Sequence, residues 1–321
     1  MTPLQRRDRT IGIVGAGLSG LMAARALGES GHRVIVWDKG RSPGGRLATR
    51  RIGDARVDHG AQFFTVRSDE FGRHVDAWRR DDLVFEWCRG FAAGGDGHAR
   101  YAVRGGMNGL ARSLAKGLDV RCDSLVFSVQ RRHDGPCWDV MLDDGSVTSV
   151  DALVVTCPLP QTASLLFSEV DLPEQLWRTP YDMTLALLAV LDRPSAVADP
   201  GGLQGEPNFT FVADNQAKGV SAVPALTLHA DPRWSEDHWD DDHDDAHAAL
   251  LELARPYVAG AQVLTSQLKR WRFATPRSIW PEPTWSPADG TPLVLAGDAF
   301  AGPKMEGAAC SGLAAAARLT G

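Results

Sequence analysis

The sequence predicts an α/β fold in which separated segments build a parallel sheet and an antiparallel sheet is inserted between them. A strand, a glycine turn, a helix and a second strand follow one another over residues 10–37. Continuous apolar runs at Asp151–Thr156 and Leu293–Ala296 are typical of buried parallel strands. The strands predicted for the antiparallel sheet are Met183–Leu191, Asn208–Asp214 and Ala225–Ala230.

The first of these segments carries a nucleotide-binding motif. Residues 15–20 (GAGLSG) directly follow the strand Thr10–Val14, and a helix of small residues then extends to about Ser30. The next strand, Arg33–Trp37, ends at Asp38, about 20 residues beyond the glycines. This spacing, in this context, predicts a bound dinucleotide.

Each glycine has a physical reason in such a motif. Gly15 makes the tight turn, Gly17 lets the backbone approach a pyrophosphate, and Gly20 lets helix and strand pack closely. The amino end of the helix offers unpaired N–H groups and a positive dipole to the phosphates. Asp38 is placed to accept hydrogen bonds from an adenosine ribose.

A second glycine turn follows at once. Lys39–Arg51 (KGRSPGGRLATRR) holds Gly44 and Gly45 among five basic residues. Its backbone N–H groups and Arg46 are expected to bind the same pyrophosphate from the other side, which suits a large, permanently held cofactor. A solvated basic loop is the alternative.

Composition limits the class of protein. The 321 residues are enough for one large domain or two interleaved ones, and 44% hydrophobic and 23% charged residues are ordinary for a globular protein. A net charge of −6 argues against a nucleic-acid partner. The five cysteines form no CxxC pair, so neither a disulfide framework nor a zinc knuckle is expected, and a reducing cytoplasm is predicted.

Export and membrane insertion are not expected. Arg6-Arg7 before an apolar stretch resembles a twin-arginine signal, but cleavage there would remove the glycine motif. We find no stretch of ~18 uninterrupted apolar residues, the length that a membrane span needs.

The remaining elements complete two interleaved domains. The predicted helices are Ser68–Arg80, Leu110–Lys116, Asp240–Pro256 and Glu306–Leu319, and the predicted strands are a hairpin in Leu83–Arg100, then Val120–Arg131, Trp138–Leu142, Val147–Val150 and Gln262–Phe273. Residues 1–66, 101–159 and 286–321 are assigned to a discontinuous nucleotide-binding domain, and 67–100 and 160–285 to a substrate domain.

The carboxyl end of the chain predicts a flavin. Gly297-Asp298 follows a buried strand, at the edge where open α/β sheets bind ligands. The helix that begins near Glu306 has almost no side chains in its first turn, so a flat ring can lie against its amino end. A reduced flavin is negative near N1 and O2, and a helix amino terminus stabilises that charge. A tightly packed final helix is the alternative.

Four stretches together resemble the FAD-dependent amine-oxidase superfamily, and within it the renalase-like branch: residues 15–20, 38–51, 58–65 (DHGAQFFT) and 297–316 (GDAFAGPKMEGAACSGLAAA). Shorter matches at 105–115, 228–235 and 269–276 (KRWRFATP) extend the resemblance over nearly the whole chain. The resemblance implies a Rossmann-type FAD-binding domain of the glutathione-reductase-2-like kind and noncovalently held FAD.

The same resemblance implies which residues contact the cofactor. His59–Gln62 would lie along the isoalloxazine, Val126 would read adenine with its backbone, Asp298 would bind the ribityl chain, and Gly307 and Ala308 would lie behind the ring. The full implied set is Gly15, Ala16, Gly17, Leu18, Ser19, Gly20, Asp38, Lys39, Gly44, Gly45, Arg46, Leu47, His59, Gly60, Ala61, Gln62, Met107, Val126, Gly297, Asp298, Glu306, Gly307 and Ala308.

A substrate face is implied at Thr65, Arg67, Asn215, His229 and Trp280. His229 either donates a hydrogen bond to substrate or is a satisfied histidine on a strand. Arg67 and Arg272 either meet an anionic pyrophosphate or are simply solvated.

The activity implied is oxidation of isomeric dihydro forms of NAD(P)H to NAD(P)+, by hydride transfer to flavin N5, with O2 as acceptor and H2O2 as product. Such chemistry asks little of protein acids or bases. The alternatives are a flavin amine oxidase for a small amine, or a flavin-binding protein without turnover. Amine oxidases usually flank the flavin with paired aromatic rings, commonly tyrosines, but this chain has only three tyrosines, so such a cage would have to use Trp or Phe. The lysine that bridges through water to N5 in amine oxidases has no clear match, Lys269 being the nearest candidate, and both departures disfavour the amine alternative.

Two further features have ordinary explanations. His243 and His247 lie one helical turn apart in an acidic stretch, yet those carboxylates are expected to cap the helix that follows, and no metal is predicted. Cys310 is expected to be a small buried residue rather than a point of flavin attachment.

Overall fold

A computed structural model describes residues 9–91, 95–132, 134, 137–300, 302 and 304–321. Arg6-Arg7 therefore lies outside the described residues, as do Ala301 and Pro303 of the carboxyl-terminal motif. The chain forms two compact units: residues 1–45, 111–180 and 276–321 make the first, and residues 46–110 and 181–275 make the second.

In chain order the elements are β1 (Thr10–Val14), α1 (Leu18–Glu29), β2 (Arg33–Trp37), β3 (Thr49–Ile52), β4 (Ala55–Asp58), α2 (Asp69–Arg80), β5 (Val84–Cys88), β6 (Arg100–Val103), α3 (Asn108–Ala115), β7 (Asp119–Arg121), β8 (Val126–Arg131), β9 (Trp138–Leu142), β10 (Val147–Val150), β11 (Ala152–Val155), α4 (Leu159–Leu166), α5 (Glu174–Trp177), β12 (Tyr181–Leu191), β13 (Gly202–Glu206), β14 (Phe209–Asp214), β15 (Ala225–Ala230), α6 (Pro232–Asp237), α7 (His243–Val258), β16 (Val263–Pro276), β17 (Leu293–Leu295) and α8 (Lys304–Thr320).

The first unit is built on a parallel sheet with strand order β17-β11-β1-β2-β7. Its central strands are buried along almost their whole length, which is why they are apolar without alternation. Helix α8 packs against α1 closely enough that a Cβ at Gly312 would overlap the carbonyl oxygen of Ser19. The predicted parallel layer made from separated segments is confirmed.

One predicted strand of this unit is wrong. Val120–Arg131 is not a single strand: β7 pairs with β2, whereas β8 belongs to a separate antiparallel sheet of order β10-β9-β8. The chain turns between them at Asp123, whose φ is +51°. An acidic residue tolerates that left-handed conformation better than a β-branched one, but hydrophobic patterning does not reveal it.

The second unit contains the inserted sheet, of order β13-β14-β15-β12-β16. Strands β14, β15 and β12 pair antiparallel, as predicted. Strand β13, which was not predicted, pairs antiparallel with β14. Helix α7 covers a buried core that includes Leu187, Leu226 and Leu250. Its N-cap is Asp242, which accepts a hydrogen bond from the N–H of Asp244, so the acidic stretch has the capping role expected of it.

Two hairpins and a helix complete this unit. Strands β3 and β4 pair antiparallel, and so do β5 and β6. Helix α2 begins after Ser68, whose side chain accepts from the N–H of Phe71, and it buries Phe71, Val75 and Trp78.

The compact units do not coincide with the predicted domain boundaries. Residues 46–66 and 101–110 group with the second unit, and 160–180 and 276–285 with the first. The assignment of the predicted segments to cofactor and substrate roles remains a prediction. Among the described residues, no helix is both long and apolar enough to cross a bilayer.

Candidate active site

In the first unit the two glycine turns are joined to each other. The N–H of Gly44 donates to the carbonyl oxygen of Ala16 at 2.9 Å, and Gly17 and Gly44 form a parallel bridge. Gly15 has φ +106° and Gly45 φ +53°, conformations that favour glycine. The second turn therefore lies beside the first, as its expected role at one pyrophosphate requires.

Asp38 holds both turns through its carboxylate. Oδ2 accepts from the N–H of Ala16 and Oδ1 from the N–H of Gly40, each at 2.7 Å. A carboxylate offers about four lone-pair sites, so acceptor capacity for ribose hydroxyls remains. The chain leading into β8 lies next to Asp38, because the N–H of Ser124 donates to the Asp38 carbonyl at 2.9 Å. Val126, the first residue of β8, follows Ser124 by two positions.

The first turn fits a dinucleotide on its own geometry. A Cβ at Gly20 would overlap the carbonyl oxygen of Gly15, so only glycine allows helix and turn to approach this closely. A Cβ at Gly17, in contrast, would meet nothing within 4 Å, which leaves open space at the amino end of α1. That end has no acidic residue in its first turn and no side-chain cap. Its N–H groups are therefore available to phosphate oxygens.

At the carboxyl-terminal motif, Gly297 has φ +145°, and its N–H donates to Ser311 Oγ at 2.9 Å. A Cβ at Gly307 would overlap the carbonyl oxygen of Gly302. The absence of a side chain at Gly307 is therefore required for close packing of the loop against α8, whether or not a ring lies there. Asp298 and Glu306 are both partly buried.

In the second unit, the backbone after the second glycine turn pairs with the DHGAQFFT stretch. The N–H of His59 donates to the Ala48 carbonyl and that of Ala61 to the Arg46 carbonyl, both at 2.9 Å. The guanidinium of Arg46 donates to the carbonyl oxygens of Phe273 and Ala274 at 3.3 Å. The implied cofactor residues 46–47 and 59–61 are therefore neighbours.

His59 is the centre of a cluster that the sequence only partly indicated. Its ring stacks on Trp271, with centroids 5.3 Å apart and an interplanar angle of 25°. Its carbonyl oxygen accepts from Trp271 Nε1 at 2.7 Å and from His229 Nε2 at 3.2 Å, so His229 carries its proton on Nε2. This hydrogen bond agrees with the second of the two alternatives for His229, a histidine on a strand that is satisfied within the protein.

Both histidines of this cluster are neutral at neutral pH. The pKa of His59 is lowered to about 4, mainly by burial and then by electrostatic interaction with Lys269, His229 and Arg50, which Asp58 only partly offsets. Burial also lowers the pKa of His229 to about 4. Burial and, second, the charge of Arg50 lower the pKa of Lys269. Nδ1 of His59 is buried and has no hydrogen-bond partner among the residues that the structure describes.

Beneath the cluster lies a buried ion pair that sequence analysis missed. Lys218 Nζ is 2.8 Å from Asp58 Oδ2 and 3.3 Å from Gln62 Oε1. Asp58 Oδ1 accepts from the N–H of Met107 at 2.8 Å and from Thr49 Oγ1 at 2.5 Å. A lysine in a polar loop between two strands looks like any solvated lysine, so the sequence carries no signal for this pair.

The structure corrects the role of Asn215. Its side chain has no exposed surface; Oδ1 accepts from the N–H of Asp58 at 3.1 Å, and Nδ2 donates to Thr227 Oγ1 at 3.0 Å. A side chain without surface cannot touch a substrate, so Asn215 supports the backbone at Asp58 rather than forming a substrate face. Gln62 is likewise buried, with Nε2 donating to the Asp58 carbonyl at 2.7 Å.

The other predicted substrate residues differ in burial and in the unit to which they belong. Thr65 is partly buried and Arg67 exposed in the second unit, whereas Trp280 belongs to the first unit. Of the remaining implied cofactor residues, Leu47 and Met107 are buried and Lys39 is exposed. In the described part of the chain, His243 and His247 belong to no group of three or more residues able to hold a metal.

An aromatic cluster lies elsewhere in the second unit. Phe63, Trp87, Phe91 and Phe211 contact one another, with ring centroids 5.1 to 6.3 Å apart. The guanidinium of Arg100 lies 6.0 Å from the Phe63 ring centroid, and Lys218 Nζ lies 5.3 Å from that of Trp87. The rings are thus packed against one another and against cations of the protein.

Two family models match the chain. Residues 13–80 match the NAD(P)-binding Rossmann-like domain, and residues 81–320 match the flavin containing amine oxidoreductase model. The first match begins within β1 and covers both glycine turns. The second covers about three quarters of the chain, including the whole inserted sheet and the carboxyl-terminal motif.

Relatives span the full length of the chain. Renalase of Mus musculus is 22% identical, with 94% of this chain and 96% of that protein covered. Putrescine oxidase, solved with bound putrescine, superposes with a TM-score of 0.69 at 16% identity over 97% of this chain and 98% of that one. An oxidoreductase from Methanosarcina mazei superposes with a TM-score of 0.65 at 16% identity, over 95% of this chain and 99% of that one. At these identities the solved structures establish the shared fold.

Proposed function

As a member of the flavin-containing amine oxidoreductase family this chain is an FAD-dependent oxidoreductase, and we propose that its substrates are isomeric dihydro forms of NAD(P)H. The products are NAD(P)+ and, with O2 as acceptor, H2O2. The similarity to renalase over nearly the whole of both chains supports this choice within the family.

The observation that carries the proposal is the stacked pair of His59 and Trp271 in positively charged surroundings. Both rings are planar and uncharged at neutral pH, which suits contact with a flat nicotinamide. The cations that act on His59 are Lys269 and Arg50, whereas the charge of Asp58 is matched by Lys218. A phosphate-bearing dinucleotide is favoured in such surroundings and a cationic amine is not.

The chemistry that FAD supplies when bound is acceptance of a hydride at N5 and transfer of the two electrons to oxygen. Residues of the two glycine turns, with Asp38, would hold its adenosine and pyrophosphate. The protein contributes orientation: Trp271 Nε1 and His229 Nε2 fix the carbonyl of His59, and Lys218 fixes Asp58 just before it. Hydride transfer to the flavin needs no protein base.

Amine oxidation is the second candidate, because a solved neighbour is putrescine oxidase. An amine site in this chain would need an aromatic cage, and the four-ring cluster of Phe63, Trp87, Phe91 and Phe211 is one candidate. Its rings already contact one another and the cations of Arg100 and Lys218, so a substrate ammonium would meet like charge there. This observation favours the dinucleotide over the amine.

Anaerobic mixing separates these functions. Holoenzyme is mixed with dihydro isomers made by borohydride reduction of NAD+, with pure NADH as the comparison, and separately with putrescine and other small amines. We expect the oxidised-flavin absorbance to bleach with the isomers and one NAD+ to form per flavin. Bleaching by amines alone would establish the second candidate. Flavin that stays oxidised with every donor would show a binding protein without turnover.

A further inference from the structure

Arg50 lies on β3 directly opposite Val57 of β4, two residues before His59. Directly paired residues of antiparallel strands project to the same face of the hairpin. Arg51, the next residue, projects to the other face, and its Nε donates to the Gly53 carbonyl at 3.2 Å. The hairpin thus presents one arginine on the side of Val57 and the other away from it.

Lys269 and Trp271 are two residues apart on β16 and therefore share a face of that strand. Trp271 is the residue that stacks on His59. Lys269 consequently lies along the strand from the stacked pair, while Arg50 reaches the same histidine from the hairpin. The effect of Arg50 on the pKa of Lys269, and of both cations on the pKa of His59, agrees with this proximity.

Arg50 is exposed and Lys269 is partly buried, so water can solvate both, but two neighbouring positive charges still favour a bound anion. Among the residues that the structure describes, neither Arg50 nor Lys269 has an ion-pair or hydrogen-bond partner. Nδ1 of His59, beside them, is buried and also lacks a partner among the described residues. Three nitrogen-bearing groups therefore converge with no protein acceptor assigned to them.

We propose that Arg50 and Lys269 form a subsite that binds a phosphate group of the substrate beside the His59–Trp271 pair. The proposal rests on the proposed function and extends it, because it names the residues that distinguish phosphorylated from unphosphorylated dihydronicotinamides. Arginine and lysine are the side chains that bind phosphate most strongly. The phosphate can be that of the nicotinamide nucleotide, the second phosphate of the pyrophosphate, or the 2′-phosphate of NADP(H).

The test is equilibrium binding to the holoenzyme, followed by flavin difference spectra and independent of turnover. The ligands are nicotinamide riboside, nicotinamide mononucleotide, NAD+ and NADP+, which add phosphates one at a time. The variants are Arg50→Gln, Lys269→Gln and their combination, with Arg51→Gln as the matched control on the opposite face. Flavin content and the circular dichroism spectrum confirm that each variant is folded.

For the double variant we expect binding of every ligand that carries the recognised phosphate, NADP+ in each case, to weaken by about tenfold or more, and that of the riboside by less than about twofold. Arg51→Gln should resemble the unchanged protein. The first ligand in the series to show the loss identifies the phosphate. Equal losses for riboside and nucleotides, or undiminished nucleotide binding, would overturn the proposal.

The two proposals fail differently. If the variants lose phosphate-dependent binding but no dihydronicotinamide reduces the flavin, the subsite stands and the proposed function is wrong. If the isomers reduce the flavin equally well in the double variant at low substrate concentration, the function stands and the subsite is wrong.

Discussion

The ammonium of Lys218 lies 2.8 Å from the carboxylate of Asp58, and neither side chain has exposed surface. The two residues come from distant parts of the chain, a loop after β14 and the end of β4. Asp58 immediately precedes His59, whose carbonyl oxygen accepts hydrogen bonds from Trp271 and His229. The buried pair therefore fixes the backbone from which the candidate substrate surface projects.

Replacing one member of this pair should be costly. Lys218→Met leaves the Asp58 carboxylate buried without its cation, and we expect the free energy of unfolding to fall by about 3–5 kcal/mol. The measurement is urea denaturation, with the exposed Lys116→Met as the control. The double variant Asp58→Asn/Lys218→Met removes both charges and should lose less than the sum of the single variants. Additive losses would show that the two charges do not stabilise each other.

Gly20→Ala should abolish or strongly weaken FAD binding, because the added Cβ overlaps the carbonyl oxygen of Gly15 and forces the first glycine turn open. Gly28→Ala in the same helix is the matched control, since its Cβ would meet nothing within 4 Å. We expect that control to keep its flavin and to gain about 0.5–1 kcal/mol of stability from helix propensity. Flavin content after gel filtration decides between these outcomes.

Asp38→Asn should weaken FAD binding by about tenfold. The substitution replaces one carboxylate oxygen by an NH2 group, so the side chain can accept a hydrogen bond from the N–H of Ala16 or from that of Gly40, but not from both. The FAD dissociation constant of the reconstituted apoprotein is the quantity to measure. Asp54→Asn, at an exposed turn, serves as the comparison. An unchanged affinity would mean that the turn holds its shape without the carboxylate.

Stability should fall as the pH is lowered from about 6.5 toward 4. The pKa values of His59 and His229 are about 4 in the folded protein, against 6.5 for an ordinary histidine, so in this window the unfolded chain binds protons that the folded protein does not. Each histidine contributes up to about 1.4 kcal/mol per pH unit.

Urea denaturation at pH 7, 6 and 5 tests this pH dependence. His229→Gln keeps an N–H donor for the His59 carbonyl but cannot titrate, so it should flatten the dependence, whereas the exposed His98→Gln should not. An unaltered slope in His229→Gln would contradict the buried neutral state of His229.

Much of the fold was predictable because it depends on local patterns. The strands β1, β2 and β11 are short apolar runs beside glycine or proline, and their spacing alone predicted the parallel layer. The break between β7 and β8 could not be predicted, because it depends on the left-handed backbone of one residue, Asp123, in a stretch with no distinctive composition. Likewise β13, with four polar or glycine positions among its five residues, has no alternating pattern to identify it.

The sequence by itself determined the parts of the protein whose function lies in the backbone: glycines at 15, 17 and 20, an acid at the end of the second strand, and small residues at the start of the last helix. Their expected role follows from sterics and dipoles within a few residues, so spacing alone is enough to predict it. Only the tertiary structure decided that Asn215 is internal, that Lys218 is buried against Asp58, and that Trp271 stacks on His59. Those contacts join residues more than 150 positions apart, and the energy of a buried charge or a stacked ring depends on partners that no local pattern specifies.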